Sequence, residues 1–377
     1  MKLNWYKLVA EIYLSRFRHN VRSVLSRIPS KTTVIGIIKC DAYGHGAAPI
    51  ARSLLKAGVS YLAVSDLWEG RALREQGICC PILLLSDPPS EKLEEVVWYN
   101  LTAAISSFEV GQALASVARR LRRIARVHIN VDTGMGRFGL SPDAAVLTAE
   151  KFRKYDHLEV EGIFSHLSSA YRADPVSDEY TLDQIRLFNN VLERLSAKGL
   201  LPSLVHIGNS PALTGFAEQV MSGFCNAIRI GTLFFGFAER PCEWARELVP
   251  VAEVSTFILF EKQVRRGQFI SYDRTFRAER DSRIAVLPIG YGDGLHRALS
   301  NRGQVAIGAE RAPIVGKICL GQTIVDITEL NADVSAGSRV VLAGKEISAF
   351  EEAQRCGLGT WEFLLPLLFH SKKIYIE

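Results

Sequence analysis

Between residues 30 and 235 the chain alternates short apolar runs with amphipathic stretches. The apolar runs lie at 33–39, 61–65, 81–86, 102–105, 126–131, 158–164, 203–207 and 226–230. Their length and lack of polar alternation read as strands buried on both faces. Between them, 46–57, 66–76, 107–121, 142–153 and 178–198 repeat apolar residues at helical spacing. Eight strands separated by helices predict a (β/α)8 barrel, a fold whose usual size is ~250 residues. A doubly wound open sheet accommodates the same alternation, typically with fewer strands.

After Gly236 the pattern changes. Residues 250–262, 283–290, 303–307, 311–318, 322–327 and 338–343 read as strands, with turns at Arg266-Gly267, Gly292-Asp293-Gly294 and Ala336-Gly337. Helical spacing returns only near the C-terminal end. The expected fold is therefore α/β, a (β/α)8 TIM barrel over residues 1–240 followed by a mostly β domain over 241–377. The boundary falls at 237–245, where Gly236, Arg240 and Pro241 interrupt the pattern; pairing of residues 1–10 with the second domain is left open.

Composition narrows the function classes. With 377 residues the chain is long enough for two substantial cores, and its net charge of +5 is small for that length. Such a balance argues against a dedicated nucleic-acid surface, though it helps attract a small anion. The densest basic cluster, Arg119, Arg120, Arg122 and Arg123, reads as the solvated end of a helix. Seven cysteines without CxxC spacing imply reduced thiols and a cytoplasmic location. No secretory signal is visible, and no apolar run approaches the ~20 residues of a membrane span. No spacing matches a metal motif.

A barrel places its chemistry at the C-terminal ends of its strands. Lys39 ends the first strand; Asp132-Thr133-Gly134-Met135-Gly136-Arg137 follows the fifth. His166 ends the sixth, Asn209-Ser210 follows the seventh and Arg229 ends the eighth. Five such sites at corresponding strand ends imply one shared pocket. Lysine is the side chain that forms Schiff bases, so Lys39 reads as the anchor of a carbonyl cofactor.

Six ordered motifs carry a resemblance. They are Ile38-Lys39-Cys40-Asp41-Ala42-Tyr43-Gly44-His45-Gly46, Asp132-Thr133-Gly134-Met135-Gly136-Arg137-Phe138-Gly139, His206-Ile207-Gly208-Asn209-Ser210, Arg229-Ile230-Gly231-Thr232, Ser271-Tyr272-Asp273-Arg274-Thr275-Phe276 and Gly290-Tyr291-Gly292-Asp293-Gly294. Together they resemble the bacterial alanine racemase family across nearly the whole chain. The resemblance implies a pyridoxal 5'-phosphate (PLP) enzyme with a barrel plus β domain, working as a head-to-tail homodimer with shared active sites. It implies that Lys39 carries PLP and is one acid/base, and that Tyr272 of the partner subunit is the other. Arg229 would face the pyridine nitrogen, with His166 orienting it. Tyr43, Asn209, Ser210 and the backbone of Gly231 and Thr232 would hold the cofactor, mainly its phosphate. Arg137 would contact PLP and the substrate carboxylate, the Leu320 backbone the same carboxylate, and Tyr291 would line the entrance. The partners implied are a small amino acid and a second copy of the chain, with neither nucleic acid nor membrane.

Three places depart from the family pattern. Cys319-Leu320-Gly321 stands where Cys-Met-Asp is usual, which bears on substrate choice. Asn130 stands where many relatives have a lysine that supports the arginine. Phe369 aligns with a tyrosine that reaches the phosphate, and it has no hydroxyl. The leading expectation is racemisation of L- and D-alanine by a two-base mechanism. The alternatives are a racemase of other or broader specificity, serine included, or a PLP-binding protein without catalysis.

Overall fold

The computed structural model describes residues 6–330 and 333–377. The first strand, β1 (Val9–Tyr13), precedes eight parallel barrel strands: β2 (Thr33–Ile37), β3 (Tyr61–Val64), β4 (Ile82–Leu84), β5 (Thr102–Ile105), β6 (Ala125–Asn130), β7 (Leu158–Phe164), β8 (Leu204–His206) and β9 (Ala227–Ile230). Their spatial order is β8-β7-β6-β5-β4-β3-β2-β9, so neighbours in sequence are neighbours in space until β9 closes onto β2. That register runs from Thr33 opposite Ala227 to Gly36 opposite Ile230. The two ends of the order, β8 and β9, are stitched through Asn226. Its N–H donates to Val205 O (3.1 Å), and its side-chain oxygen accepts from the Val205 N–H (2.9 Å). A side-chain amide thus stands in for a missing rung. The closed ring corresponds to the barrel expectation rather than the open sheet.

The helices begin where side-chain oxygens can satisfy first-turn N–H groups. Asp66, Ser107, Ser141 and Asp174 each cap the helix that follows them, and Pro142 and Pro175 occupy first helical positions. Residues β3 to β5 contribute are buried throughout. The long helix Pro175–Ala197 buries Ile185, Phe188, Val191, Leu192 and Leu195 on one face. The sequence reading missed the helix Leu93–Trp98, which is too short to show a periodic stripe.

The remaining strands are β10 (Ala252–Phe257), β11 (Phe260–Val264), β12 (Phe269–Ile270), β13 (Phe276–Arg277), β14 (Ser282–Leu287), β15 (Gln304–Ile307), β16 (Glu310–Pro313), β17 (Thr323–Asp326), β18 (Arg339–Ala343) and β19 (Lys372–Ile376). They form a six-stranded sheet ordered β16-β15-β18-β10-β1-β19, a three-stranded sheet β11-β14-β17 and the hairpin β12-β13. The stretch 250–262, expected as one strand, is two: β10 and β11 belong to different sheets, and Ile258-Leu259 carries the chain between them. Ile258-Leu259 is as apolar as the strand before it, so nothing in the pattern marks the break. β1 pairs antiparallel with β10 and parallel with β19. Cα packing accordingly assigns the chain up to Ser15 to the β unit, with residues 43–45 and 250–377; the barrel unit comprises 16–42 and 46–249.

Replacing Asn226 by Ala removes the acceptor of the Val205 N–H and a donor to Ser203 O (2.8 Å). The expected loss is about 1–2 kcal/mol, read as a lower denaturant midpoint at unchanged slope.

Candidate active site

Lys39 follows β2, and the backbone after it is unusual. Cys40, Asp41, Ala42 and Tyr43 all have φ of 52–53°, a left-handed run without a single glycine. L-residues disfavour this conformation by roughly 1–2 kcal/mol each, so the surroundings must hold it. Asp41 does much of this. Its carboxylate accepts from the Ala47 N–H (2.7 Å), its carbonyl from the Gly46 N–H (2.9 Å), and its own N–H donates to Glu69 (3.2 Å). Glu69 also accepts from the Ser65 N–H at 2.7 Å, tying the turn after β2 to the turn after β3. Burial raises the Glu69 carboxyl from its ordinary range against the pull of those backbone donors. Lys39 is half-buried at the mouth of this turn. Tyr43 belongs by packing to the β unit, with its ring centroid 4.8 Å from that of Trp361.

Arg229, on β9, is 3% exposed. One terminal nitrogen, Nη1, donates to His206 Nδ1 (2.6 Å) and to the His206 carbonyl (3.2 Å). The other, Nη2, donates to the carbonyls of Ser165 (2.8 Å) and Ile207 (3.1 Å) and lies 3.2 Å from His166 Nδ1. None of these acceptors is a carboxylate. Burial pushes the guanidinium down to about 9. The Nε–H has no acceptor among the described residues.

His166 joins the strand-end residues electrostatically. Burial first, then the positive charges of Arg229, Arg137 and Lys39, push its imidazole down to about 3. Three cations from the ends of β2, β6 and β9 therefore act on one neutral ring. Gln184 of the long helix fixes that ring's backbone by donating to the His166 carbonyl (3.1 Å).

The loop after β6 is shaped by Asp132, whose carboxylate accepts from the N–H groups of Gly134 (2.9 Å) and Gly136 (3.1 Å). At Gly134, with φ of 126°, an added Cβ would lie 2.3 Å from the Tyr180 hydroxyl, which donates to its carbonyl. Arg137 emerges from this loop exposed, its guanidinium 6.0 Å from the Phe138 ring. Asn130 is buried at the end of β6, and no hydrogen bond joins it to Arg137.

Ser210 and Gly231 draw the ends of β8 and β9 together, the Gly231 N–H donating to Ser210 Oγ at 2.9 Å. Asn209 caps the short helix Ser210–Gly215 by accepting from the Ala212 N–H (3.0 Å). Thr232 opens the next turn, and its hydroxyl lies 3.4 Å from Glu239. Burial raises the Glu239 carboxyl against the opposing influences of Thr232 and of the Lys39 charge. Sequence reasoning passed over Glu239, Glu69, Gln184 and the role of His206. A charged residue next to an apolar run was the signal available for the two glutamates.

The β unit assembles a set of its own. Tyr272, 64% exposed, sits on a turn in which Ser271, Asp273 and Arg274 have φ of 66°, 57° and 54°. Lys317 pairs with Asp273 beside it. The Tyr291 and Gly292 N–H groups donate to the carbonyls of Cys319 (3.0 Å) and Leu320 (2.9 Å), joining the two segments that carry Tyr291 and Leu320. Leu320 is 63% exposed, and an added Cβ at Gly321 would meet nothing within 4 Å.

Residues 12–239 match the family model described as alanine racemase, N-terminal domain, and residues 251–375 the alanine racemase, C-terminal domain. The alanine racemase of Clostridium novyi is 32% identical over 375 residues, spanning 98% of this chain and 95% of that protein. That of Symbiobacterium thermophilum is 37% identical over 371 residues, spanning 97% and 96%. Among solved structures, the alanine racemase of Clostridium difficile 630 superposes with a TM-score of 0.91 at 30% identity, covering 99% of this chain and 96% of that one. A further structure of that enzyme, in complex with cycloserine, gives 0.88 at 30% identity with 98% and 96% covered.

The lowered imidazole of His166 gives the expected acid sensitivity of the fold a definite sign. His166, pushed down to about 3 from 6.5 by burial and neighbouring cations, stays neutral when folded while the unfolded chain binds its proton. Stability is therefore expected to be full above pH ~6.5 and to fall as pH drops toward about 3. Denaturant melts across this window should show net proton uptake on unfolding, reduced by one proton in His166→Gln.

Proposed function

This chain belongs to the alanine racemase family, and from that premise we propose that it interconverts L- and D-alanine with PLP carried on Lys39 and a second acid/base, Tyr272 of the partner subunit. The observation that carries the reading is Arg229, held at the end of the barrel strands with its Nη2 3.2 Å from the half-buried His166 Nδ1 and its Nε–H unspent. Two features fit the cofactor. Arg229 spends both Nη groups on the protein and keeps its Nε–H for a ring nitrogen. Ser210 Oγ and the Gly231 N–H, 2.9 Å apart, adjoin Asn209 and Thr232 in the chain, and these four would hold the phosphate end.

When bound, PLP supplies an electron sink for the charge left by removal of the α-proton. Racemisation needs a proton removed from one face of the substrate and returned on the other. Lys39 Nζ serves one face and Tyr272 Oη of the partner subunit the other, which requires a head-to-tail homodimer. Arg229 donates a hydrogen bond without surrendering its proton, which limits charge delocalisation into the ring and favours proton return over transamination. Arg137 and the Leu320 N–H take the substrate carboxylate, and Tyr291 lines the entrance. The open space at Gly321 favours a second reading within the class, with acceptance of serine beside alanine. Free cysteines throughout the described residues support a cytoplasmic location. Among the described residues no helix is long and apolar enough to cross a membrane.

Incubation with L-alanine in D2O should give α-deuterated alanine of both configurations. Tyr272→Phe should lose exchange preferentially in one direction, and Lys39→Ala in both; equal loss in both directions for Tyr272→Phe would overturn the two-sided assignment. Phe369, half-exposed in the helix Thr360–His370, lacks the hydroxyl its family counterpart carries. Phe369→Tyr should tighten PLP binding about fivefold, the worth of one neutral hydrogen bond, measured by fluorescence titration.

A further inference from the structure

The interior of a (β/α)8 barrel is ordinarily filled by branched apolar side chains. Here a continuous polar chain runs through it. From Arg229 it passes to His206 (2.6 Å), from His206 Nε2 to His128 Nδ1 (2.9 Å), and from His128 Nε2 to Glu161 Oε2 (3.2 Å). Glu161 also accepts from the Tyr61 hydroxyl (2.6 Å) and from Thr102 Oγ1 (3.2 Å). Six residues on six different strands take part, and both imidazoles are fully buried. Gly162 leaves the room: a Cβ there would come within 2.6 Å of the His128 ring.

Arginine can only donate and an ionised carboxylate can only accept, so Arg229 at one end and Glu161 at the other fix the direction of every bond between them. Arg229 Nη1 donates to His206 Nδ1, so that nitrogen carries no proton and Nε2 must carry it. His206 Nε2–H then donates to His128 Nδ1, which leaves the His128 proton on Nε2, facing Glu161. A protonated His128 would put an N–H against the His206 N–H, so both rings are neutral. Burial acts in the same direction, holding both imidazoles below their ordinary range, although Glu161 opposes it at His128. At Glu161, burial raises the carboxyl, but hydrogen bonds from His128, Tyr61 and Thr102 outweigh it and keep it ionised. The buried guanidinium thus has its counter-charge at the far end of two neutral rings.

We propose that Glu161 is a positioning residue for racemisation: by accepting from His128 it locks His128 and His206 as Nε2–H tautomers, and so holds both Arg229 Nη groups on the protein and leaves the Nε–H for the cofactor. The role rests on the function proposed above, but its structural half is testable without cofactor. In cofactor-free protein labelled with 15N-histidine, two-bond 1H–15N correlations should show His128 and His206 as neutral Nε2–H rings from pH 6 to 9. An Nδ1–H tautomer or an imidazolium at either position would overturn the proposal, whether or not any variant folds. Glu161→Leu, which removes the acceptor, should mix the His128 tautomers. In the loaded enzyme it should lower kcat about tenfold with KM within about threefold, the effect of one lost hydrogen bond to a charged group. Glu161→Gln, whose carbonyl can still accept, should keep both tautomers and most of kcat. A Glu161→Leu enzyme with wild-type kcat per loaded site and merely lower stability would reduce Glu161 to a structural residue. Absence of alanine exchange in the wild type would instead sink the functional reading and leave the tautomers untouched.

Discussion

A positive charge enclosed by the barrel with no carboxylate touching it is the constraint around which the rest is arranged. Removing a guanidinium from water costs several kcal/mol unless its donors are met. Three carbonyls at the ends of β7 and β8 and two imidazole nitrogens meet those of the Nη groups. β9 is held beside the end of β8 by the Arg229 N–H donating to Gly208 O (3.0 Å), and on its other side it closes the ring against β2. Closure, charge and histidine tautomers are one connected problem.

The second recurring device is backbone held in left-handed geometry beside a residue with chemistry. It occurs after Lys39 and again around Tyr272, each time without glycine. At Lys39, Asp41 and Glu69 provide the compensation, accepting hydrogen bonds from four backbone N–H groups between them: Ala47, Asp41, Ser65 and, through the Asp41 carbonyl, Gly46. Such a turn aims the side chain before it with little freedom, at a cost borne by the neighbouring loops.

Much of this was legible in the chain. The eight barrel strands lie within a few residues of the apolar runs, since strands buried on both faces announce themselves as unbroken hydrophobic stretches. Lys39, His166, Asn209-Ser210 and Arg229 could be placed at strand ends for the same reason. Less visible were features that depend on contacts distant in sequence. Glu161 sits in a strand whose sequence, Leu158-Glu159-Val160-Glu161-Gly162-Ile163-Phe164, offers two acids with no mark of which one points inward. His128 and His206 become a relay only when β6 and β8 are seen on either side of β7. The division of 250–262 between two sheets was equally hidden, because partner choice, not local pattern, decides it.

The placement of β1 has a consequence for biosynthesis. This strand is made before the barrel, yet its ladder partners are β10 and β19, which follow the barrel, with Val9 opposite both Ser255 and Lys372. Between them the chain makes an entire barrel. β1 must therefore wait, unpaired and sticky at both edges, until β10 and β19 have been made, which leaves the nascent β unit exposed to wrong partners for that interval.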